Sequence, residues 1–374
     1  MVERPGARSQ AVLVSLDFGD DDYAETTAEL RQLAVSAGLK VAAVLQGRRG
    51  RPDPALFAGS GKVEELVGLL TESGASLVIF NHELSPAQQR NLEQQLHCTV
   101  IDRVSLILDI FAQRAHSHEG KLQVELAQLE HLATRLVRGW THLERQKGGI
   151  GMRGPGETQL ETDRRLLAKR VKVLKDKLHK LAARRDLQRR ERRRTNTFSV
   201  SIVGYTNAGK STLFSCLTRT NAYAADRLFA TLDTTTRRLH IPDSASMVIS
   251  DTVGFIRQLP HALVAAFRAT LEETVQADLL LHIVDAASSV RDAQIAAVNA
   301  VLAEIGADRI PQLLVYNKID LIGIEPQVEH DEYDRICRVW ISAATGTGLD
   351  VLKRALAENA TLLMHSTTAC PVAA

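Results

Sequence analysis

The chain carries a glycine-rich segment at residues 204–211 that reads Gly-Tyr-Thr-Asn-Ala-Gly-Lys-Ser. An apolar run, residues 198–203, precedes it and a predicted helix follows, so the segment joins a predicted strand to a helix. Glycines let the backbone wrap closely around an anion, with N–H groups pointing inward beside a helix N-terminus. The pattern Gly-x4-Gly-Lys-Ser in this setting predicts a phosphate-binding loop, and the alternative is an ordinary glycine-rich turn.

This loop assigns two chemical roles. The Lys210 ammonium is expected to reach the β- and γ-phosphates of a nucleotide, and the Ser211 hydroxyl to ligate Mg²⁺. The predicted nucleotide contacts are Gly204, Tyr205, Thr206, Asn207, Ala208, Gly209, Lys210, Ser211 and Thr212.

A second motif, Asp-Thr-Val-Gly at residues 251–254, follows another apolar run. A carboxylate at the end of such a strand can hold Mg²⁺ through water, and the Gly254 N–H can sense the γ-phosphate. The residues expected to contact nucleotide or metal here are Asp251, Thr252, Val253 and Gly254.

Two further motifs predict that the base is guanine. Asp320, in Asn-Lys-Ile-Asp, can accept hydrogen bonds from both the N1–H and the 2-amino group of guanine, which adenine cannot offer. The backbone of residues 342–344 follows one more apolar run and can contact the guanine oxygen. The sequence therefore predicts a site for GTP and GDP, with base contacts from Asn317, Lys318, Asp320, Ser342, Ala343 and Ala344.

The segment between the first two motifs, residues 229–237, is the predicted switch. One threonine hydroxyl there is expected to bind Mg²⁺ only when GTP is bound, and four candidates stay open on the sequence alone: Thr231, Thr234, Thr235 and Thr236. Many GTPases carry a water-orienting Gln directly after Asp-x-x-Gly, but this chain has Phe255. Slow intrinsic hydrolysis is the expected result, with the missing polar group supplied by a rearranged loop or a partner; alternatively, Phe255 only packs beneath the switch.

The remaining sequence predicts an α/β, multidomain protein. With 374 residues, two or three domains are expected. Strand-like runs alternate with helical stretches from residue 10 to about 115, which predicts an N-terminal α/β domain with a mostly parallel sheet. No apolar run approaches the ~18 residues of a membrane span, and the first residues lack the apolar core of a signal peptide, so a cytoplasmic location is expected.

Two long helical patterns lie between these domains, at residues 120–145 and 164–194. The second holds fifteen Lys and Arg against three acidic residues, a net charge of +12 over 31 residues. Such a helix repels itself unless it meets phosphate, which favours RNA as a partner over a merely solvated face. The glycine-rich stretch Gly148–Gly154 is expected to form the tip of an antiparallel hairpin; its nominal dinucleotide pattern is rejected because it follows a helix.

These motifs together resemble the HflX family of ribosome-associated P-loop GTPases across nearly the whole chain. The resemblance is carried by residues 80–86, 119–127, 149–157, 161–165 and 251–256. It implies that Thr231 is the switch threonine, that Lys210, Thr231 and Gly254 serve catalysis, and that Ser211, Thr231 and Asp251 hold Mg²⁺. It also implies binding to the large ribosomal subunit and the whole ribosome, dissociation of stalled or idle ribosomes, stimulation of hydrolysis by ribosomes, and ATP hydrolysis in some members.

The predicted organisation has four parts: an N-terminal α/β domain (1–115), a helical hairpin that contacts ribosomal RNA (116–195), a P-loop GTPase domain with a mostly parallel sheet flanked by helices (196–365), and a C-terminal tail (366–374). A monomer is expected. The alternative function is that of an RNA-binding regulatory or ribosome-assembly factor in which GTP only gates binding.

Overall fold

The computed structural model describes residues 10–19, 22–139, 155–194, 197–219, 228–241, 246–257 and 268–368. The chain divides into two compact units. The first unit consists of Met1–Gln113 and Lys121–Asp176, and the second consists of Arg114–Gly120 and Lys177–Ala374. The predicted glycine-rich tip, Gly148–Gly154, lies outside the described residues.

The first unit is built on a four-stranded parallel sheet in the order β2-β1-β3-β4. The predicted alternation of strands and helices is confirmed, and α4, directly after β4, was not predicted. Its elements are β1 (Gln10–Asp17), α1 (Tyr23–Ser36), β2 (Lys40–Arg48), α2 (Ser60–Ser73), β3 (Leu77–Phe80), α3 (Pro86–Leu96), β4 (Thr99–Asp102) and α4 (Arg103–Arg114).

Local sequence chemistry explains where these elements begin. Ser85 caps α3: its hydroxyl accepts a hydrogen bond from the Gln88 N–H, and the Gln88 side chain accepts one from the Ser85 N–H. Pro86 occupies the first helical position, where no N–H is needed. All four residues of β3 are apolar and buried, as expected for an inner strand of a parallel sheet covered on both faces.

Two long helices follow, α5 (His118–Gly139) and α6 (Pro155–Arg194). In the first unit, Glu125 of α5 pairs with Arg170 of α6 at 2.6 Å, and Glu130 pairs with Lys175 at 2.9 Å. Helix α6 begins at Pro155. Its leucines, which recur at helical spacing, do not all lie on a packed face: Leu174 is fully buried, whereas Leu166 is 58% exposed.

A buried ion pair attaches the C-terminal part of α5 to the sheet of the first unit. Arg135 lies 2.5 Å from the Asp102 carboxylate, which is fully buried at the end of β4. Arg135 also donates a hydrogen bond to Gln89 of α3 and one to His131 of its own helix. Removing one partner of such a pair would leave an uncompensated charge, so these contacts fix the position of α5 on this unit.

The second unit contains a seven-stranded sheet in the order β10-β11-β9-β8-β5-β7-β6. The pairs β6–β7 and β10–β11 are antiparallel and the others parallel, which confirms the predicted α/β class. Its elements are β5 (Phe198–Gly204), α7 (Lys210–Thr218), β6 (Thr235–Leu239), β7 (Met247–Asp251), α8 (Arg268–Val275), β8 (Leu279–Asp285), α9 (Arg291–Glu304), β9 (Gln312–Asn317), a short 3-10 turn (Ile319–Leu321), β10 (Val328–His330), β11 (Ile336–Trp340) and α10 (Leu349–Thr368).

The polar ends of the strands position the candidate site. Strands β5, β7, β8 and β9 run parallel, so their carboxyl ends, including Gly204, Asp251, Asp285 and Asn317, meet at one edge of the sheet. Ligands of open α/β sheets bind at this edge. None of the helices in the described part of the chain is both long and apolar enough to cross a lipid bilayer.

One polar side chain within this sheet makes stability depend on pH. Burial lowers the pKa of His282 on β8 to about 4, from the ordinary 6.5, although its Nδ1 lies 3.2 Å from Gln312 Oε1. Because the unfolded chain takes up the proton first, the free energy of unfolding falls as pH drops from 6.5 towards 4. The histidine accounts for about 3 kcal/mol of that loss.

The variant His282→Gln should therefore lose less stability between pH 6.5 and 4 than the parent. Urea unfolding at a series of pH values measures how steeply the free energy of unfolding changes with pH. The variant should lower this slope by up to the equivalent of one bound proton. The slope, rather than the stability at any one pH, is diagnostic, since the substitution also changes packing. Equal slopes in the two proteins would show that His282 is already charged in the folded chain.

Candidate nucleotide-binding site

The loop at residues 204–211 joins β5 to α7 in a conformation that requires glycine at both ends. Gly204 has φ +148°, and a Cβ there would lie 2.3 Å from the carbonyl oxygen of Ile283 on β8. Gly209, directly before α7, has φ +93°, and its Cβ would lie 2.2 Å from Nδ2 of Asn317. Any side chain would therefore push the loop away from the neighbouring strand ends.

A cleft beside this loop brings together most of the predicted phosphate and metal contacts. It is lined by Thr206, Asn207, Gly209, Lys210, Ser211, Thr212, Phe229, Ala230, Thr231, Thr252 and Gly254. The first and second motifs and the switch segment, which are separate in sequence, thus share one cleft.

Lys210 is buried in this cleft with its charge held close to backbone oxygen. Its Nζ donates a hydrogen bond to the Tyr205 carbonyl at 2.7 Å. Burial lowers the pKa of Lys210 to about 8, while the Asp251 carboxylate acts in the opposite direction. A Cβ on Gly254 would lie 2.9 Å from this Nζ and 2.9 Å from Thr206 Cγ2, so glycine allows the Asp-Thr-Val-Gly turn to approach the ammonium.

Three oxygen-bearing side chains meet beside the lysine. The hydroxyls of Ser211 and Thr231 lie 2.6 Å apart, and Thr231 Oγ1 donates to Asp251 Oδ2 at 2.8 Å. The other Asp251 oxygen, Oδ1, is buried and has no hydrogen-bond partner among the described residues. Burial raises the pKa of Asp251. Hard oxygen donors with one unsatisfied carboxylate oxygen are the donor set that Mg²⁺ favours.

Three of the four candidate threonines lie either in this cluster or in the sheet, and Thr234 directly precedes β6. Thr231 makes the contacts just described. Thr235 and Thr236 belong to β6, where Thr236 Oγ1 lies 2.9 Å from the Ser250 hydroxyl of β7. The geometry therefore favours Thr231 as the switch threonine, the residue that the family resemblance implies.

Phe255 is packed beneath the phosphate loop. Its side chain is 1% exposed, its N–H donates to the Gly204 carbonyl at 3.1 Å, and its carbonyl accepts from the Thr206 N–H at 2.8 Å. The Tyr205 hydroxyl oxygen accepts from the Arg257 N–H at 3.0 Å. Backbone pairing thus holds the start of the second motif's loop to the phosphate loop, and Phe255 supplies no polar side-chain atom.

The predicted base-binding motifs meet at Asn317. Its Nδ2 donates to the Ala208 carbonyl at 2.9 Å, and its Oδ1 accepts from the Ala343 N–H at 2.8 Å. This one side chain therefore ties the phosphate loop to the segment 342–344. Ser342 beside it is fully buried, whereas the side chains of Asp320 and Ala344 are exposed.

The sequence analysis did not identify Asp285 at the end of β8. Its Oδ2 lies 2.6 Å from Lys318 Nζ, and its Oδ1 accepts from the Ala287 N–H at 3.0 Å. Lys318 itself has φ +67°. The signal was available, because Asp285 follows an apolar run as the other strand-end motifs do; what was absent was a known motif around it.

The chain matches three protein families in succession. Residues 24–112 match the family described as "GTP-binding GTPase N-terminal", residues 114–192 match "GTP-binding GTPase Middle Region", and residues 199–318 match "50S ribosome-binding GTPase". Among solved structures, a complex of SsGBP with GDP is similar over 95% of this chain and 99% of that one, with a TM-score of 0.53 and 24% identity. That similarity supports the fold.

Similar proteins extend over nearly all of the sequence. GTPase HflX of Escherichia coli K12 is 56% identical over 360 residues, covering 96% of this chain and 84% of the relative. GTPase HflX of Magnetococcus marinus is 50% identical over 325 residues, covering 87% and 75% respectively. With this identity over this length, and with the cleft and strand-end motifs in place, the chain belongs to the HflX family of GTPases.

Proposed function

We propose that this protein binds GTP and GDP with Mg²⁺, hydrolyses GTP, and uses the cycle to bind the large ribosomal subunit and dissociate stalled or idle ribosomes. The observation that carries the proposal is the Ser211–Thr231–Asp251 cluster. It joins the phosphate loop, the switch and the second motif through side-chain oxygens. A ligand that occupies this cluster would fix the switch, and loss of the ligand would release it.

The phosphates bind to charges and N–H groups that the cleft has already collected. Lys210 contacts the β- and γ-phosphates and exchanges its bond to the Tyr205 carbonyl for phosphate oxygen. The Gly254 N–H and the Thr231 N–H contact the γ-phosphate, while the loop N–H groups surround the β-phosphate. Burial of Lys210 favours this exchange, because the desolvated ammonium, whose pKa burial lowers, gains a stronger counter-charge from phosphate.

The residues that would hold Mg²⁺ are Ser211, Thr231 and Asp251, with Asp251 acting through a water molecule. The metal, when bound, neutralises charge that develops on the phosphates. Occupation of the site also offsets the cost of burying Asp251, whose second oxygen otherwise has no hydrogen-bond partner among the described residues.

Hydrolysis is slow without a partner in this proposal. Phe255, at the position directly after Asp-x-x-Gly, is buried and cannot orient a water molecule. Lys210, Thr231 and Gly254 stabilise the transferring phosphoryl group, but the attacking water must be oriented by a group that the ribosome supplies or repositions.

The ribosome is the proposed partner because of charge. Helix α6 carries a net charge of +12 over residues 164–194, and α5 is itself neutral, with three Glu against three Lys and Arg. The α5 carboxylates pair with Arg170, Lys175 and Arg185, which leaves most of the excess for ribosomal RNA phosphate. The matching family's description as ribosome-binding supports the same partner. The protein acts as a cytoplasmic monomer in this proposal, with the segment Gly148–Gly154 contacting ribosomal RNA.

Guanine specificity rests on Asp320. The variant Asp320→Asn should weaken GDP binding by about a hundredfold or more, since the amide opposes the 2-amino group with its own N–H donors. Binding of xanthosine diphosphate should improve, because its 2-oxo group accepts from that amide. Competition against a fluorescent guanine nucleotide measures both affinities. Asp308→Asn, a matched charge removal in an exposed loop before β9, should change neither, and an unchanged GDP affinity for Asp320→Asn would contradict the assignment.

GTP turnover should rise by about two orders of magnitude or more when purified large ribosomal subunits are added, because the partner completes the water-orienting chemistry. Phosphate release at low and moderate salt measures this, with Lys210→Ala as the inactive control. The stimulation should weaken at higher salt, as RNA contacts release counterions. An absence of stimulation at either salt concentration would contradict ribosomal activation and favour the RNA-binding regulatory or assembly role.

The same preparation separates two further activities. Light scattering of whole ribosomes reports dissociation directly. Shortening Gly148–Gly154 should abolish dissociation while sparing binding to subunits. Dissociation that survives the shortening would contradict the proposed role of the tip. ATP turnover that persists in Lys210→Ala would show hydrolysis that does not depend on the phosphate loop, and the family resemblance would place such an activity in the N-terminal region.

A further inference from the structure

Asp233, two residues beyond Thr231, ties the switch segment to the start of helix α5. Its Oδ2 accepts hydrogen bonds from the N–H groups of His116 at 2.9 Å and Ser117 at 2.8 Å, and its Oδ1 accepts from the Ser117 hydroxyl at 2.5 Å. Ser117 caps α5 in turn, because its Oγ accepts from the Gly120 N–H at 2.8 Å. We refer to Asp233, His116, Ser117 and Gly120 as the switch clamp; all four belong to the second unit.

The clamp depends on a glycine in the first turn of α5. A Cβ on Gly120 would lie 2.1 Å from Asp233 Oδ1 and 3.1 Å from both Asp233 Cγ and Ser117 Oγ. Gly120 has a helical backbone conformation that any residue can adopt. Glycine is needed here because it leaves space for the Asp233 carboxylate. The carboxylate also lies at the positive end of the helix dipole, which favours its charge.

Helix α6 contributes a counter-charge beside the clamp. Glu119 of α5 pairs with Arg185 of α6 at 2.7 Å. Burial raises the pKa of Glu119, Arg185 opposes that shift, and the charges of Asp233 and Glu272 add to it. Arg185 therefore offsets a local excess of carboxylates, and α6 contacts the start of α5 close to the residues that bind Asp233.

Three successive residues fix the switch segment. Thr231 contacts Ser211 and Asp251, Leu232 is 2% exposed, and Asp233 holds the α5 N-terminus. Leu232 is the single residue between Thr231 and Asp233. A displacement of Asp233 therefore also displaces the Thr231 hydroxyl. The hydroxyl positions at the proposed metal site thus depend on where α5 begins.

We propose that Asp233 is a positioning residue for the GTPase reaction, which holds Thr231 on the Ser211–Asp251 pair by clamping the switch segment to helix α5. The inference rests on the proposed role of Thr231 in binding Mg²⁺ in the GTP state. By linkage the effect is reciprocal: whatever displaces the start of α5 changes affinity for GTP, and GTP changes the position of α5. The clamp is a route by which a partner bound to the long helices acts on the nucleotide.

The test compares a non-hydrolysable GTP analogue with GDP, each in the presence of Mg²⁺. Asp233→Ala should weaken the analogue by about tenfold and leave GDP affinity unchanged, because Thr231 contacts Mg²⁺ and the γ-phosphate only in the proposed triphosphate state. The Mg²⁺ concentration needed for half-maximal binding of the analogue should rise in parallel. Asp331→Ala is the matched control: Asp331 accepts two backbone N–H groups in an exposed loop of the same unit and should change neither affinity.

A second variant attacks the clamp from the helix side. Gly120→Ala pushes a methyl group into the Asp233 carboxylate without changing any residue of the site, so it should reproduce the selective loss. In the background of Asp233→Ala the added methyl group meets no carboxylate. Gly120→Ala should then weaken binding of the analogue no further. This non-additivity identifies a direct interaction, which general destabilisation would not produce.

The outcomes separate the clamp from the switch. If Thr231→Ala weakens the analogue but Asp233→Ala does not, the clamp is overturned and the switch stands. If Thr231→Ala has no effect, the proposed metal role of Thr231 fails. Equal losses of GDP and analogue affinity in Asp233→Ala, or additive costs in the double variant, would reduce Asp233 to a structural cap and overturn the proposal.

Discussion

The structure of the second unit depends on two opposite charges buried at one edge of its sheet. Lys210 is the first residue of α7 and Asp251 is the last residue of β7. Burial lowers the pKa of Lys210 and raises the pKa of Asp251, which disfavours the charged form of each. A folded domain would ordinarily avoid both groups, because an uncompensated buried charge costs several kcal/mol. The two charges offset part of each other's cost. In the proposed function, nucleotide phosphate and Mg²⁺ would offset the remainder.

Close contacts of the phosphate loop join the strand ends that surround the site. Gly204 and Gly209 adopt positive φ so that the loop lies against Ile283 and Asn317, and Asn317 then joins the loop to the segment that carries Ala343. The ends of the four strands are therefore coupled to one another. Because the contacts of the loop with these strand ends are short, a small change in the loop conformation also moves the proposed base-binding and phosphate-binding residues.

Much of this could be predicted because the signals are local. The phosphate loop, the strand-end motifs and the bounds of β3 and α3 follow from short runs of residues whose chemistry allows few conformations. The contacts of Asp233 and Asp285 could not be predicted in the same way. Each carboxylate acts through a partner distant in sequence, Ser117 in one case and Lys318 in the other, and nothing in the neighbouring residues indicates that partner. Leu166, which is 58% exposed, shows the converse limit, since the helical spacing of leucines does not show where a packed face ends.

In the proposed scheme, hydrolysis stays incomplete until a partner binds, and the long helices connect that partner to the site. A GTPase that hydrolyses rapidly by itself would lose its triphosphate before meeting a partner. Burial of Phe255, where many GTPases carry a polar residue, would preserve the GTP state until then. The partner must then be able to reach the site. In the proposed scheme RNA phosphate binds the basic face of α6, and α6 meets the start of α5 through Arg185 and Glu119. Asp233 connects that point to Thr231, so binding at a distance and chemistry at the phosphate share one mechanical link.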